Sequence, residues 1–206
     1  LGTSQATATE DTSDRCNMLM DYAHTHPDAT IRYHASGMQL WIVSDAAYLV
    51  KPGARSRYAG LFFLGSRPPP PPAVPVVKLN GAILVNCKTI ANVVASAAEA
   101  ETGGVFGNAQ TGIAIRIALQ ELGHPQDQIP LQTDNSTAHS FVTKNIKQRR
   151  SKTWDMRWNW LRDKISQSLF RVYWAKGIHN EVDYFTKHHP PKHHIQQRPK
   201  YILRGH

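Results

Sequence analysis

The sequence has only two cysteines, Cys16 and Cys87, in 206 residues. They lie far apart and form no CxxC pair, so they cannot provide a disulfide framework, and we expect two buried thiols in a reducing compartment. The sequence also lacks any run of roughly 18–20 apolar residues and any basic N-terminal region followed by an apolar core. It therefore predicts a soluble intracellular protein with no membrane partner.

Acidic residues are also scarce compared with basic ones. Lys and Arg outnumber Asp and Glu by 24 to 15, which gives a formal net charge of +9. A field of this sign attracts polyanions, so nucleic acid is the first partner to consider, although acidic membranes or mere solubility would suit the same charge. The hydrophobic content of 41% is enough for a core in one sizeable domain, with or without an appendage. Because the chain starts LGTSQATATE, without a methionine, we expect a segment of a longer polypeptide.

The first third of the chain predicts a loose lead-in, a short helix and three strands. Residues 1–13 are rich in Thr, Ser and Ala, and a helix follows that Ser13 or Asp14 caps and Pro27 stops. The strands are MQLWIVSDAAYLV, RYAGLFFLGS and the second half of VVKLNGAILVNC. A proline-rich loop at 67–75 separates the last two, and a spacer is favoured there over a docking site for proline-binding modules.

The rest of the chain alternates helices and strands. A helix is predicted from Asn92 to Leu122, although its glycines weaken it. The segments IPLQTD and LFRVYWA predict strands, and STAHSFVTKNI, TWDMRWNWLRDKI and NEVDYFTK predict helices. The predicted order is strand, strand, strand, helix, strand, helix, helix, strand, helix.

Four carboxylates occupy notable places in this order. Side chains two apart on a strand share a face, so Asp45 lies on the same face of the first strand as Trp41 and Val43. Asp134 follows the fourth strand. The other two lie on helices: Glu101 and Asp183. Carboxylates that are brought together repel unless cations neutralise them, and hard oxygen ligands suit Mg²⁺ or Mn²⁺. For Asp134 the alternative is a helix cap, since Asp before Ser and Thr is a common helix start.

The segments around these carboxylates resemble the ribonuclease H domain of copia-type LTR retrotransposon polyproteins, which follows the reverse transcriptase. The resemblance lies in SDAAY, SAAEAE, QTDNSTA and NEVDYFTK. The longer phrases YAHTHPDATIRYHASGMQLWIVSDAAYL, IKQRRSKTWDMRWNWLRD and DYFTKHHPPKHH extend it from about residue 20 to the C-terminus. Several long motifs therefore agree with this family in the same order.

The resemblance implies a ribonuclease H-like α/β fold. Its sheet would be five-stranded and mixed, with three antiparallel strands first and helices on its flanks. The domain would cover residues 36–187. Residues 1–35 would be a lead-in that ends a reverse transcriptase connection, and residues 188–206 a basic His/Pro-rich tail.

The resemblance also implies an activity, which is metal-dependent cleavage of the RNA strand of RNA–DNA hybrids during reverse transcription. Asp45, Glu101, Asp134 and Asp183 would be catalytic and would bind two Mg²⁺ ions, with Mn²⁺ as a substitute and no small-molecule cofactor. Glu99 is a rival for Glu101, and residues two apart on a helix cannot easily share a role. His179 is a weaker catalytic candidate that would assist product release, against the alternative of an exposed loop histidine.

The partners that the resemblance implies are the hybrid and the reverse transcriptase of the same polyprotein. The location would be cytoplasmic, in virus-like particles, with the nucleus as a second site. Phosphate contacts are predicted for a basic run, against a merely solvated helix start: Lys144, Lys147, Arg149, Arg150 and Lys152. Asn135 and Ser136 would bind 2′-hydroxyls, and zinc binding by KHHPPKHH is disfavoured.

Two alternative functions remain. A decayed or host-adopted copy would bind nucleic acid without cutting it. Ala47 motivates this alternative, because the family usually has serine there, as does the pair Gly103 and Gly104, where it usually has bulkier residues. An integrase or transposase is disfavoured, because its catalytic glutamate comes last in the chain, whereas Glu101 lies between aspartates.

Overall fold

The computed structural model describes residues 1–143 and 152–204. Its helices are α1 (Glu10–Thr25), α2 (Ala97–Glu121), α3 (Ser136–Thr143), α4 (Lys152–Ser166), α5 (Asp183–Thr186) and α6 (Pro191–Gln197). Its strands are β1 (Ala29–Thr30), β2 (Gln39–Lys51), β3 (Arg55–Gly65), β4 (Ala82–Thr89), β5 (Ile129–Thr133), β6 (Phe170–Trp174) and β7 (Leu203–Arg204). None of the helices in these ranges is both long and apolar enough to cross a membrane.

Five of the strands form a mixed sheet in the order β4-β3-β2-β5-β6. The pairs β4/β3 and β3/β2 are antiparallel, whereas β2/β5 and β5/β6 are parallel. The predicted five-stranded mixed sheet with three antiparallel strands first is therefore confirmed. Parallel pairing also brings the carboxyl ends of β2, β5 and β6 to one edge of the sheet.

Alternating side chains of the sheet build two apolar cores. The first core joins the sheet to residues of α2, α3 and α4, and its sheet members include Leu40, Ile42, Phe62, Leu131 and Phe170. The second core lies on the opposite face and includes Trp41, Val43, Leu61, Phe63 and Val182. Trp41 and Val43 share a face as predicted, because side chains two apart on a strand point the same way.

Glycines let α2 lie close to the sheet. A Cβ atom at Gly112 would be 2.5 Å from Ile42 Cδ1, and one at Gly107 would be 2.7 Å from Tyr58 Oη. At Gly104 the same atom would be 3.1 Å from Tyr58 Cβ. These positions have a packing reason for glycine, and α2 is continuous in spite of their low helix propensity.

The N-terminal residues are more regular than predicted. Residues 2–7 form a 3₁₀-helix, and α1 begins at Glu10 instead of after Ser13 or Asp14. The reason is a capping box, in which the Thr9 and Thr12 side chains each accept a hydrogen bond from the other's backbone amide. This box is a threonine variant of the usual pattern, which has glutamate or glutamine at the last position.

Both cysteines are exposed, so the prediction of buried thiols was wrong. Cys16 lies on α1, which has no buried residue. Cys87 lies on β4, at the edge of the sheet, and its Sγ donates to the Phe185 carbonyl at 3.2 Å. An edge strand leaves alternate side chains near solvent. The hydrophobic pattern of a single strand does not reveal whether that strand lies at the edge of the sheet.

The C-terminal segment folds back onto the domain. Residues 188–204, expected as a basic tail, contain α6, a short 3₁₀-helix and β7, which pairs with β1. Tyr201 stacks on Tyr184 and contacts Phe185, with ring centroids 5.5 and 5.0 Å apart. The segment therefore supports α5, which is too short to be stable alone.

A glycine in β3 generates a stability prediction. A Cβ atom at Gly60 would lie 2.1 Å from Oδ1 of buried Asn108, whose Nδ2 donates to Ser44 Oγ and the Ala59 carbonyl at 3.0 and 2.9 Å. We expect Gly60→Ala to lower the free energy of unfolding by about 1–3 kcal/mol, because the crowded amide must move. Urea unfolding would measure this. Gly37→Ala is the control, since its new contacts are ordinary at 3.7 Å; equal losses in both variants would contradict the explanation.

Candidate metal centre

Two neighbouring parallel strands and one helix bring three carboxylates together. Asp45 lies in β2 and Asp134 directly follows β5, which pairs with β2 through Ile42 and Leu131. Helix α2 crosses this edge of the sheet and presents Glu101, whose Oε1 accepts a hydrogen bond from the Ala46 amide at 3.0 Å. The chain thus reaches the same place from three separate segments.

The carboxylates of Asp45, Glu101 and Asp134 offer oxygen atoms that all lie within 4.8 Å of one another. Within residues 1–143 and 152–204, they form the one group of three or more His, Cys, Asp or Glu side chains with this geometry. Asp45 and Glu101 are buried, and Asp134 is half-buried. Such a group can surround a small cation.

One oxygen atom of the group tests whether a metal ion would fit. Oε2 of Glu101 is fully enclosed and accepts no hydrogen bond of normal geometry in the described part of the chain, although the Thr133 side chain lies close enough to lower the pKa of this carboxyl against the larger effect of burial. A buried carboxylate oxygen without a donor is costly, and a hard divalent cation such as Mg²⁺ would satisfy it. The three residues therefore fit a metal ion.

Burial and mutual repulsion raise the pKa values of all three groups. Burial raises the pKa of Asp45 to about 6, and the charges of Asp134 and Asp183 add to this effect. Burial, followed by repulsion from Asp45 and Asp134, raises the pKa of Glu101 well above its ordinary value. Burial also raises the pKa of Asp134, with a further contribution from Asp183. In the absence of a cation, the site disfavours its full negative charge.

Two residues that the sequence analysis missed orient Asp45. Asn180 donates from Nδ2 to Asp45 Oδ1 at 3.2 Å and to the Ser44 carbonyl at 3.3 Å. The Thr186 hydroxyl donates to Asp45 Oδ2 at 2.5 Å. Both are buried, and both belong to the NEVDYFT stretch around Asp183. That motif was interpreted as the source of one carboxylate, and it also supplies two hydrogen-bond donors.

Asp183 stands apart from the three grouped carboxylates. It is the first residue of α5, and its Oδ1 accepts a hydrogen bond from Lys187 Nζ in an ion pair. Its charge is still close enough to raise the pKa values of Asp45 and Asp134. Of the four predicted carboxylates, the structure thus groups three and places the fourth beside them with a lysine.

Asp134 is not the cap of the helix that follows it. Asn135 takes this role, because its Oδ1 accepts a hydrogen bond from the Ala138 amide at 2.9 Å at the start of α3. Ser136 is exposed at the first position of α3. Gly177 passes close to Asp134, and a Cβ atom there would be 3.0 Å from Oδ2. The Asp134 carboxylate is therefore directed to the acidic group.

The rival carboxylate, Glu99, lies outside the group. Its Oε2 accepts a hydrogen bond from the Ala95 amide at 2.8 Å, and its own amide donates to the cap residue Ser96 at 3.2 Å. Since α2 begins at Ala97 and not at Asn92, Glu99 is in its first turn. A carboxylate there stabilises the helix end.

The remaining predicted residues are not members of the group or lie outside the described ranges. His179 is exposed and lines a cleft of about 350 Å³ with Trp174 and Lys176. Lys144, Lys147, Arg149 and Arg150 lie outside the described residues, and Lys152 opens α4. In the C-terminal segment, His189, His193 and His194 surround the Tyr184 ring. These histidines pack with an aromatic residue.

The strand order, the strand directions and the flanking helices agree with the fold that the sequence resemblance implied. The fold is ribonuclease H-like. No protein-family model and no curated protein sequence matches the chain.

Three solved structures illustrate the similarity. Ribonuclease H1 from the halophilic archaeon Halobacterium salinarum is 15% identical, with a TM-score of 0.43 over 71% of this chain and 93% of that one. The PFV ribonuclease H domain is 15% identical, with a TM-score of 0.44 over 71% and 88%. LC11-RNase H1 in complex with an RNA/DNA hybrid is 9% identical, with a TM-score of 0.46 over 71% and 92%.

The raised pKa values predict how pH affects the metal-free protein. The folded chain keeps the Asp45 proton up to about pH 6, whereas the ordinary value is 3.8. Because the folded state binds more protons between these values, the stability contributed below pH 3.8 is lost as the pH rises through about 6. We expect the melting temperature in a chelator to fall over this range. Mg²⁺ should raise it at about pH 7.5 and have little effect at about pH 4.5, where protons compete for the carboxylates.

Matched variants separate the metal site from other titrating groups. Thermal unfolding of Glu101→Gln should show no Mg²⁺ response, whereas Glu99→Gln should keep it. The metal-free Glu101→Gln protein should also be more stable than the wild type near neutral pH, because a buried charge is gone. A wild-type melting temperature that Mg²⁺ leaves unchanged at both pH values would show that the carboxylates hold no ion.

Proposed function

We propose that the chain is a metal-dependent ribonuclease H that hydrolyses the RNA strand of RNA–DNA hybrids. The observation that carries this proposal is the group formed by Asp45, Glu101 and Asp134, with the unpartnered Oε2 of Glu101 inside it. The ordered motifs around these residues resemble the copia-type family and support the same activity. The net charge of +9 suits a polyanionic substrate.

The residues of the centre would divide the work of phosphodiester hydrolysis. Two divalent ions, Mg²⁺ or Mn²⁺, activate a water molecule and stabilise the leaving oxygen when they are bound to such carboxylates. Asp45, Glu101 and Asp134 would hold them, with Asp183 as a fourth ligand. Asn180 and Thr186 keep Asp45 in place before any ion or substrate arrives, which lowers the cost of forming the site.

Other residues would hold the substrate. The basic run at 144–152 precedes or opens α4, and we propose that it binds phosphates irrespective of sequence. Asn135 and exposed Ser136, next to Asp134, are proposed contacts to the 2′-hydroxyls that distinguish RNA from DNA. His179 is proposed to assist product release from its exposed position at the end of a short 3₁₀-helix.

The biological setting belongs to the same proposal. The domain would act in retrotransposon reverse transcription, beside the reverse transcriptase of its own polyprotein. It would work in the cytoplasm, in virus-like particles, with the nucleus as a second location. The motifs that resemble the copia-type family support this setting.

Cleavage of a labelled RNA–DNA hybrid tests the proposal. With Mg²⁺ or Mn²⁺, the wild type should cut only the RNA strand and leave a DNA duplex intact. We expect Asp134→Asn and Glu101→Gln to reduce the rate by about 100-fold or more, because each removes a metal ligand. Glu99→Gln, which alters a buried carboxylate in the same helix turn, should retain cleavage.

Failure to cut under either metal would favour the binding-only alternative. In that case the hybrid would still shift in a gel, and the acidic variants would bind it as well as the wild type does. The structure offers less motive for this alternative than the sequence does, since Ala47 is buried and Gly104 packs against Tyr58 and Ser44.

A further inference from the structure

An ion pair joins the candidate metal centre to a lysine with no role in the proposal so far. Lys187 lies one residue beyond the end of the four-residue helix α5, and its Nζ donates a hydrogen bond to Oδ1 of Asp183, the first residue of that helix. Their side chains are 49% and 36% exposed, so both can exchange partners with solvent. The pair occupies the one predicted metal ligand that lies outside the grouped carboxylates.

The surroundings of Lys187 are strongly acidic. Partial burial lowers the pKa of Lys187, but the hydrogen bond and charge of Asp183, with the charges of Asp45 and Asp134, outweigh it and raise the pKa above its ordinary value. In return, Lys187 lowers the pKa values of Asp45 and Asp134. The ammonium group is therefore a built-in counter-charge for this edge of the centre.

We propose that Lys187 competes with the second divalent ion for Asp183, so that the centre fills in two steps. The inference rests on the proposed function, because it assumes that the grouped carboxylates hold a metal ion. The first ion binds Asp45, Glu101 and Asp134, none of which has a lysine or arginine ion-pair partner among the described residues. The second binds only as the pair between Asp183 and Lys187 opens, because two cations repel at the same carboxylate.

The expected size of the effect follows from the exposure of the pair. A solvent-exposed ion pair contributes little to stability, and the resulting competition should weaken binding of the second ion by about two- to five-fold. The first binding step should be affected less, because its ligands form no ion pair with Lys187 and feel only its more distant charge. The two steps should thus respond differently to removal of the lysine.

Metal binding by Lys187→Gln tests the inference. Titration of the whole chain with Mn²⁺, followed by calorimetry and by the rise in melting temperature, should resolve a tight and a weak step. We expect the variant to tighten the weak step about two- to five-fold and to change the tight step less. The Mg²⁺ concentration for half-maximal cleavage of the hybrid should fall in parallel. Lys187→Arg keeps the charge and should behave like the wild type.

Lys200→Gln is the matched control. Lys200 forms a comparable exposed ion pair with Glu181 at 2.7 Å, close in sequence to Asp183, so its loss changes the net charge equally. An unchanged weak step in Lys187→Gln, or an equal shift in Lys200→Gln, would overturn the competition. A wild type that binds no metal would overturn both proposals. Two-step binding with the expected shift, but no cleavage, would support the competition and refute the nuclease.

Discussion

Repulsion between enclosed carboxylates governs how one edge of this molecule is built. Asp45, Glu101 and Asp134 approach one another with little solvent around them, and the donors that hold them are mostly neutral. The Ala46 amide and the Thr186 hydroxyl fix orientation without removing the charge. The rest of the fold therefore has to supply the energy that keeps the three groups together, chiefly through the two apolar cores of the sheet. Such local conflict with stability is typical of functional sites.

The sequence predicted the places of the acidic residues better than their surroundings. The positions of Asp45 and Asp134 follow from strands marked by β-branched and aromatic runs, and local patterns of this kind survive folding. The contacts of Asp45 with Asn180 and Thr186 span 135 and 141 residues, and no local pattern specifies them. Helix starts were predicted less well, because several Ser, Thr and Asn residues near a helix start can act as its cap. The caps are Thr9, Ser96 and Asn135 for α1, α2 and α3. The exposure of Cys87 depended on which strand lies at the edge, which only the complete topology decides.

Close packing between α2 and the sheet links the cores to the acidic group. Glycines at 104, 107 and 112 face Tyr58 and Ile42, so the helix axis can approach the strands. Glu101 lies about one turn before the first of these glycines, and its distance from Asp45 is set by that approach. Gly104, which looks like a sign of decay in the sequence, is thus part of the geometry that brings a helical carboxylate to a strand.

The pairing of β1 with β7 has a consequence for the order in which the chain is made. Ribosomes release the N-terminal residues first, so β2, β3, β4 and α2 can meet before Asn180, Thr186 and β7 have left the exit tunnel. Until then Asp45 lacks both of its side-chain donors, and β1 has no partner strand. The acidic centre is therefore completed only after residue 186 has emerged from the ribosome. A nascent chain of this kind would carry the antiparallel strands β2, β3 and β4 next to its messenger RNA while the carboxylates remain unassembled.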